Sequence, residues 1–302
     1  MYVFVTGGTG FVGKAVIQDL IEVGHTVLAP TRSEKGVQQL SSLGADVHFG
    51  TLEDFESLAK GAAASDGVIH GAFRNTIHDF SLAAFEESCI EERNAIEAIA
   101  NALVGSNRPL VITSGTMMLP PGRLRTEDDD TPNLESPLAI ARGPSDALTR
   151  SFASKGVRSS VLRIPPVNFG EGDESFIPMT IAAARKNNKS IYLGDGLNRW
   201  PATHVKDTAK AFRLALEKAP AGSTLHGVAE EGVQLKDIAE AVGKALNVSV
   251  ESKGWEAVQD HFGWLANIVA VDNYISSQKT QAVLGWKPEQ RSLLSHIQEL
   301  ST

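Results

Sequence analysis

The sequence predicts an α/β protein in which βαβ units wind around a parallel sheet, followed by a smaller α+β unit. Three observations carry that expectation. Apolar, β-rich runs alternate with amphipathic helical stretches from the first residue, as they do where crossover helices join parallel strands. A glycine-rich turn, VTGGTGFVGKAV at 5–16, leads from the first apolar run directly into the first helical one. Beyond Pro166 the texture changes to Gly-rich acidic loops and helical stretches bearing aromatic residues.

The elements follow in order. VFVT at 3–6 is short and apolar, hence a buried strand, and 11–23 is amphipathic, hence a helix. TVLAP at 26–30, DVHF at 46–49 and GVIHGA at 67–72 are the next strands, separated by helices over 35–43 and 53–63. A long helix is expected across 79–104, with Ile96, Ile99, Ala100 and Leu103 on one face. PLVITSG at 109–115 and SSVLRIPP at 159–166 are two further strands, and the helical stretch between them contains LAIARGPSD at 138–146. The residue before a proline avoids helical angles and proline suits a first turn, so this helix is expected to kink at Gly143–Pro144 or to start at Pro144.

After Pro166 the spacing predicts a helix near 177–187, then strand, turn and loop across 191–204, a helix at 205–218 and a short strand within 224–229. A helix at 234–246 and aromatic-bearing helical stretches in the last 50 residues complete the chain. The expected organisation is a dinucleotide-binding domain over 1–166, rejoined by 205–229, and a small substrate-binding lobe from 167–204 and 230–302.

Composition narrows the function. The 302 residues carry a net charge of −8 with no basic stripe, which excludes a general nucleic-acid binder. No run of about 18 apolar residues suggests a membrane span, and MYVFVTGGTG lacks the features of a secretory signal, so a cytoplasmic protein is expected. Cys89 stands alone, which excludes an intramolecular disulfide and a cysteine-rich zinc site, and its acidic surroundings disfavour a thiolate. The acidic run TEDDD at 126–130 has no matching ligands elsewhere and reads as a solvated loop; no metal is expected.

Gly7, Gly10 and Gly13 stand in GxxGxxG spacing between a strand and a helix. A diphosphate must approach backbone amides at a helix N-terminus, where the helix dipole favours negative charge, and small residues permit that approach. Gly7 allows the turn, Gly10 the approach, and Gly13 the packing of helix on strand. NAD-specific proteins place an acid at the tip of the second strand to bind the ribose 2′-hydroxyl. Here APTRSEK offers Arg32 and Ser33, and a guanidinium can fork onto a 2′-phosphate, which favours NADP over NAD.

With TGGTGFVG, VITSGT, VLRIPPVNFGEGD and HVKDTAKAFRLAL, the whole chain resembles the extended short-chain dehydrogenases/reductases, the group that includes NAD-dependent epimerases and dehydratases. The resemblance implies a Rossmann-type doubly wound sheet with a C-terminal lobe closing over the nicotinamide end. Ligand would bind where residues 70–74, 113–117 and 165–170 converge. Cofactor contacts would then fall on Gly7, Thr9, Gly10, Phe11, Val12, Gly13, Arg32, Ser33, Leu52, His70, Gly71, Ala72, Thr113, Arg142 and Pro165. An Asp that reads adenine in the family is replaced here by Thr51.

Active members of that group pair a Tyr with a Lys four residues later, and set a Ser or Thr after the preceding strand. The hydroxyls polarise a carbonyl, Tyr gives the proton, and Lys lowers its pKa and holds the nicotinamide ribose. In this chain the pair aligns with Leu138 and Arg142. The tyrosine is gone, and Tyr2, Tyr192 and Tyr274 lie far from this segment in sequence. Some atypical members carry HxxxR there, of which this chain keeps the Arg. Arg142 can bind ribose hydroxyls and add positive field but cannot donate a proton, its pKa lying above about 12; the alternative is a surface helix cation. Ser114 and Thr116 flank Gly115, which strict alignment sets at the carbonyl-polarising position. His70, His204 and Arg74 are further candidates, with a packed histidine, a structural loop residue and a solvated cation as their respective alternatives.

The leading expectation is an NADP(H)-dependent oxidoreductase reducing the carbonyl of a small molecule, with Ser114, Thr116 and Arg142 as catalytic residues and the proton coming from water or a histidine. The rival is a non-catalytic NADP-sensing regulator similar to the NmrA-like proteins. A sugar-nucleotide epimerase needs the missing tyrosine more strictly, and no GxSxG elbow supports a serine hydrolase. Neither nucleic acid nor membrane is expected as a partner. Homodimers are common in the group, through helices equivalent to 79–104 and 137–155.

Overall fold

A computed structural model describes residues 1–74, 81–129 and 134–300. Seven strands form the central sheet: β1 (Tyr2–Thr6), β2 (Thr26–Thr31), β3 (Asp46–Phe49), β4 (Gly67–His70), β5 (Pro109–Gly115), β6 (Arg158–Ile164) and β10 (Ser223–His226). Their order is β10-β6-β5-β4-β1-β2-β3, and every pairing is parallel. Chain direction across the sheet reverses between β1 and β4, which opens the crevice where ligands bind in such sheets. Burial on both faces explains why VFV and VIH read as unbroken apolar runs instead of alternating.

Helices cover both faces. On one, α1 (Phe11–Glu22), α2 (Glu34–Ser42) and α7 (Val205–Lys218) bury Ile17, Leu20, Leu40 and Phe212. On the other, α3 (Phe55–Ala63), α4 (Leu82–Asn101) and α5 (Pro137–Ser151) pack against Phe4, Leu110 and Ile112. Ile96, Ile99, Ala100 and Leu103 are all fully buried there, as their spacing predicts.

The lobe has its own core around Phe169, Ile181, Trp200, Ile238 and Val258. It contains a three-stranded sheet of order β11-β9-β7, from β7 (Val167–Phe169), β9 (Arg199–His204) and β11 (Glu230–Gln234). A two-stranded sheet joins β8 (Lys189–Leu193) to β12 (Ser249–Lys253), and the helices are α6 (Phe176–Asn187), α8 (Leu235–Leu246), α9 (Trp255–Phe262), α10 (Ala266–Val269), α11 (Gln278–Leu284) and α12 (Leu293–Glu299).

Three expectations are corrected. The segment 199–204, expected as loop, is a strand between two neighbours. Pro201 is tolerated because it lies beside the β11 irregularity between Glu230 and Val233, and β7 begins pairing only at Ala202. Of the two alternatives for the helix holding LAIAR, the start at Pro144 is excluded: α5 runs from Pro137 through Pro144 to Ser151, capped by the Ser136 hydroxyl accepting from the Ala139 amide. The C-terminal stretch does not belong wholly to the lobe, because Leu284 and Trp286 pack into the core of the main sheet and the Trp286 indole donates to the Asp207 carbonyl. Among the described residues no helix is long and apolar enough to cross a membrane.

Candidate active site at the carboxyl edge of the sheet

The glycine turn takes its shape from backbone crowding. Gly7 has φ of 76°, and a Cβ there would stand 2.8 Å from the Gly71 carbonyl group at the end of β4. A Cβ on Gly13 would overlap the Gly7 carbonyl oxygen, so only glycine lets α1 sit this close to the turn. Gly10, an exposed residue where a Cβ would stand 3.3 Å from the Gly7 carbonyl oxygen, is the N-cap of α1, and α1 has no side-chain cap and no acid in its first turn. By contrast α2, α3, α4 and α5 are capped by Ser33, Asp54, Ser81 and Ser136. The amides at the start of α1 are therefore left for an external acceptor, beside exposed Thr9 and half-buried Phe11 and Val12. This cradle fits a dinucleotide diphosphate.

At the tip of β2, Arg32 is exposed, while the Ser33 hydroxyl accepts from the Gly36 amide at 3.1 Å. Glu53 belongs to the same neighbourhood: a hydrogen bond with Thr51 and the positive charges of Arg32 and Arg74 hold its carboxyl below the usual range. The sequence does not mark this acid, which lies four residues beyond the end of β3 and carries no motif. Leu52 is half-buried and packs against the α3–α4 core. Arg74 is not a free loop cation, since it pairs with Glu87 and Glu91 and donates to Ser88 on α4.

Between the ends of β4, β5 and β6 and the lobe lies a cavity of about 730 Å³. Thr113, Ser114 and Thr116 line its sheet edge with Pro165, Leu138 and Arg142. The lobe closes it with Phe176, Trp264, Ile268 and Val271. Leu138 and Arg142, one helical turn apart, thus both face the same space, which the Gly143–Pro144 step had left in question.

Arg142 is not a surface cation. Its Nη2 donates to Glu92 Oε1 at 2.7 Å and to the Thr113 carbonyl at 3.1 Å, and its guanidinium lies 4.2 Å from the centre of the Phe73 ring. Glu92, from α4, also accepts from the Ser145 hydroxyl at 3.1 Å and is almost completely buried. Burial raises the Glu92 pKa, and Arg142 and Ser145 oppose that shift. Arg142 Nε is buried without a hydrogen-bond partner among the described residues.

The two candidate hydroxyls differ. Thr116 Oγ1 donates to Asn273 Oδ1 at 2.7 Å, and Asn273 returns a bond to the Thr116 carbonyl, so the Thr116 proton is committed to holding the lobe. Ser114 Oγ is buried with no partner among the described residues. Thr113 donates to the His70 carbonyl at 3.2 Å and serves the backbone.

The histidines drop out as proton donors. His70 bonds Thr6 Oγ1 through Nδ1 at 2.8 Å, the same hydroxyl accepts from the Ala72 amide, and the Gly71 amide donates to Thr6. Burial, then the Arg142 charge, pushes the His70 pKa down to about 4, so it is neutral at physiological pH. His204 caps α7 by accepting from the Lys206 amide and does not line this cavity. Burial pushes the Cys89 thiol up to about 11, with Glu92 and Glu86 adding to the shift and Arg142 and Arg93 opposing it.

The acidic run, expected as a solvated loop, is tied down over its described part. Glu127 is buried and accepts from the Thr280 amide and hydroxyl, both at 2.6 Å; Asp128 pairs with Lys279, and Asp129 with Arg123 and Arg125. Asp130 lies outside the described residues. No cluster of three potential metal ligands occurs among the described residues.

A glycine cradle at the head of a parallel, doubly wound sheet, with a lobe closing over the strand ends, defines a nicotinamide-dinucleotide protein of the extended short-chain dehydrogenase/reductase group. The chain belongs to the NAD dependent epimerase/dehydratase family, whose model matches residues 3–226. It is 44% identical over 298 residues, 98% of each chain, to an uncharacterised protein of Schizosaccharomyces pombe. It is 27% identical over 226 residues, 74% of this chain and 66% of the relative, to a 4-hydroxy-2-methyl-3-oxo-4-farnesyl-3,4-dihydroquinoline-1-oxide ketoreductase of Stigmatella aurantiaca. A dTDP-glucose 4,6-dehydratase double mutant from Streptomyces venezuelae, solved with NAD bound, superimposes with a TM-score of 0.78 at 20% identity, covering 100% of this chain and 96% of that one; this likeness concerns the fold alone.

Proposed function

We propose that the protein is an NADP(H)-dependent carbonyl reductase that works without a tyrosine acid. The observation that carries this is the Ser114 hydroxyl, buried and unpartnered on the wall of the cavity that Arg142 also lines. Bound nicotinamide would supply a hydride to the carbonyl carbon, becoming oxidised as the C=O π pair moves onto oxygen. Ser114 donates to that oxygen, stabilising the developing alkoxide, and Arg142 holds the sheet edge and offers its free Nε–H to a ribose hydroxyl. The proton completing the alcohol comes from water, because His70 is neutral and enclosed and His204 lies elsewhere. Arg32 at the β2 tip supports NADP over NAD. The ketoreductase similarity supports the reaction class.

NADPH consumption across a panel of ketones, aldehydes and keto esters tests the reading. Steady turnover is expected, and Ser114→Ala should lower kcat by about 10²–10³ with NADPH affinity unchanged, the loss typical of one oxyanion donor. A second reading, a dinucleotide sensor, is favoured by Leu138 standing in the cavity where an acid is needed. NADPH binding without turnover on any member of the panel would establish that reading and overturn ours.

A further inference from the structure

We propose that the cavity takes an uncharged, predominantly hydrocarbon ketone, with its carbonyl at the sheet edge and its chain against the lobe, and that it rejects sugar nucleotides. This rests on the carbonyl-reducing reading of the same site. The cavity is polarised along its depth. Ser114, Thr113 and Arg142 stand at the strand ends, whereas the lobe side, apart from Asn267 and Asp272, presents the aromatic rings of Phe176 and Trp264 and the side chains of Ile268, Ala270 and Val271. Leu138 carries the apolar wall down to the level of Arg142, so the residue that removed the acid also extended the hydrocarbon surface.

Charge excludes the alternative. Only two charged side chains line the cavity among the described residues, and both are already neutralised. Arg142 is paired with Glu92 at 2.7 Å, and both Asp272 carboxylate oxygens accept from Arg199, at 3.0 and 2.8 Å. A nucleoside diphosphate sugar would have to bury its phosphates without a spare cation, beside the Asp272 carboxylate, which is costly. An alkyl ketone pays no such penalty and gains from every methylene it buries.

The test is calorimetric binding to the full chain, in the presence of oxidised NADP, of a homologous series of 2-alkanones up to 2-undecanone, with UDP-glucose as the contrary probe. Affinity should rise by up to about fourfold per methylene until the cavity is filled, and UDP-glucose should not bind. Leu138→Glu and, independently, Trp264→Ala should each weaken 2-undecanone by about tenfold or more, with circular dichroism confirming the fold. UDP-glucose binding as tight as any alkanone, or affinity independent of chain length, overturns the inference. Alkanone binding with the expected slope but no NADPH consumption leaves the ligand class standing and removes the reductase. Turnover confined to small hydrophilic aldehydes does the reverse.

Discussion

Arg142 is anchored where it lines the cavity. A salt bridge to a nearly fully buried Glu92 and a bond to the Thr113 carbonyl fix its guanidinium at the strand ends. Removing either partner of such a pair leaves an uncompensated buried charge, at a cost of about 3–5 kcal/mol. Arg142 is therefore a poor choice for a purely functional knockout, and Ser114 a better one. Arg32 is the cleaner test of cofactor choice, since it is exposed and its loss should not disturb the fold. Arg32→Ala should reduce the preference for NADPH over NADH by about 10-fold or more, the value of a charge-assisted hydrogen bond, read from the ratio of the two dissociation constants. An unchanged ratio would mean that the 2′-phosphate is not held there. Glu53 beside it could not be found from the sequence, because proximity between the β2 tip and the start of α3 is not written in any local pattern.

Among the elements, α5 bears the most on function. Ser136 and Pro137 give it a well-formed start, and Pro144 then sits in its interior, exposed, with no amide to offer the preceding turn. Arg93 from α4 donates to the Ala141 carbonyl at 2.8 Å and so ties the weakened turn to its neighbour. Because the proline ring contributes little packing, Pro144→Ala should stabilise the protein by about 2 kcal/mol, seen as a higher urea midpoint. A lower midpoint would show that the ring itself is needed. The stretch was ambiguous in sequence because the local rule disfavouring a helix before proline is outweighed by packing against α4 and β6, which only the assembled layer supplies.

For the whole molecule, the acidic run and several histidines link stability to pH. Burial pushes both His70 and His226 down to about 4, against 6.5 for a free imidazole. Between these values the unfolded chain binds more protons than the native one, so stability falls as pH drops from about 6.5 to 4, by up to about 3 kcal/mol for each histidine. Asp129, pushed up by burial but held down to about 2 by the Thr126 amide and Arg123 and Arg125, adds a further loss below the free-Asp value of 3.8. Glu92 works the other way, since its raised pKa favours the native state at low pH and loses that contribution as pH rises through it. Asp173 and Glu230, also raised by burial, act as Glu92 does, but His204, His261 and His296 are lowered by burial along with His70 and His226, so five histidines stand against three carboxyls and urea midpoints measured from neutral pH to about pH 4 should fall. A flat profile would mean that the imidazoles are charged in the native state. Glu127 acts at this scale too, clamping the Thr280 segment to the loop after β5.

The sequence by itself determined the α/β order, nearly every strand of the main sheet, the glycine cradle and the absence of tyrosine from LAIAR. Those features are local: periodicity, the steric limits of glycine and the identity of one residue are fixed before the chain folds. Only the tertiary structure decided that Leu138 and Arg142 face the cavity, that Ser114 and not Thr116 keeps a free hydroxyl, and that Glu92 neutralises Arg142. It also turned an acidic run that reads as solvated into a buried clasp. Each of these depends on groups 50 to 157 positions apart meeting, as Arg142 meets Glu92 and Thr116 meets Asn273, and such meetings are set by the packing of layers, to which no local pattern of residues gives access.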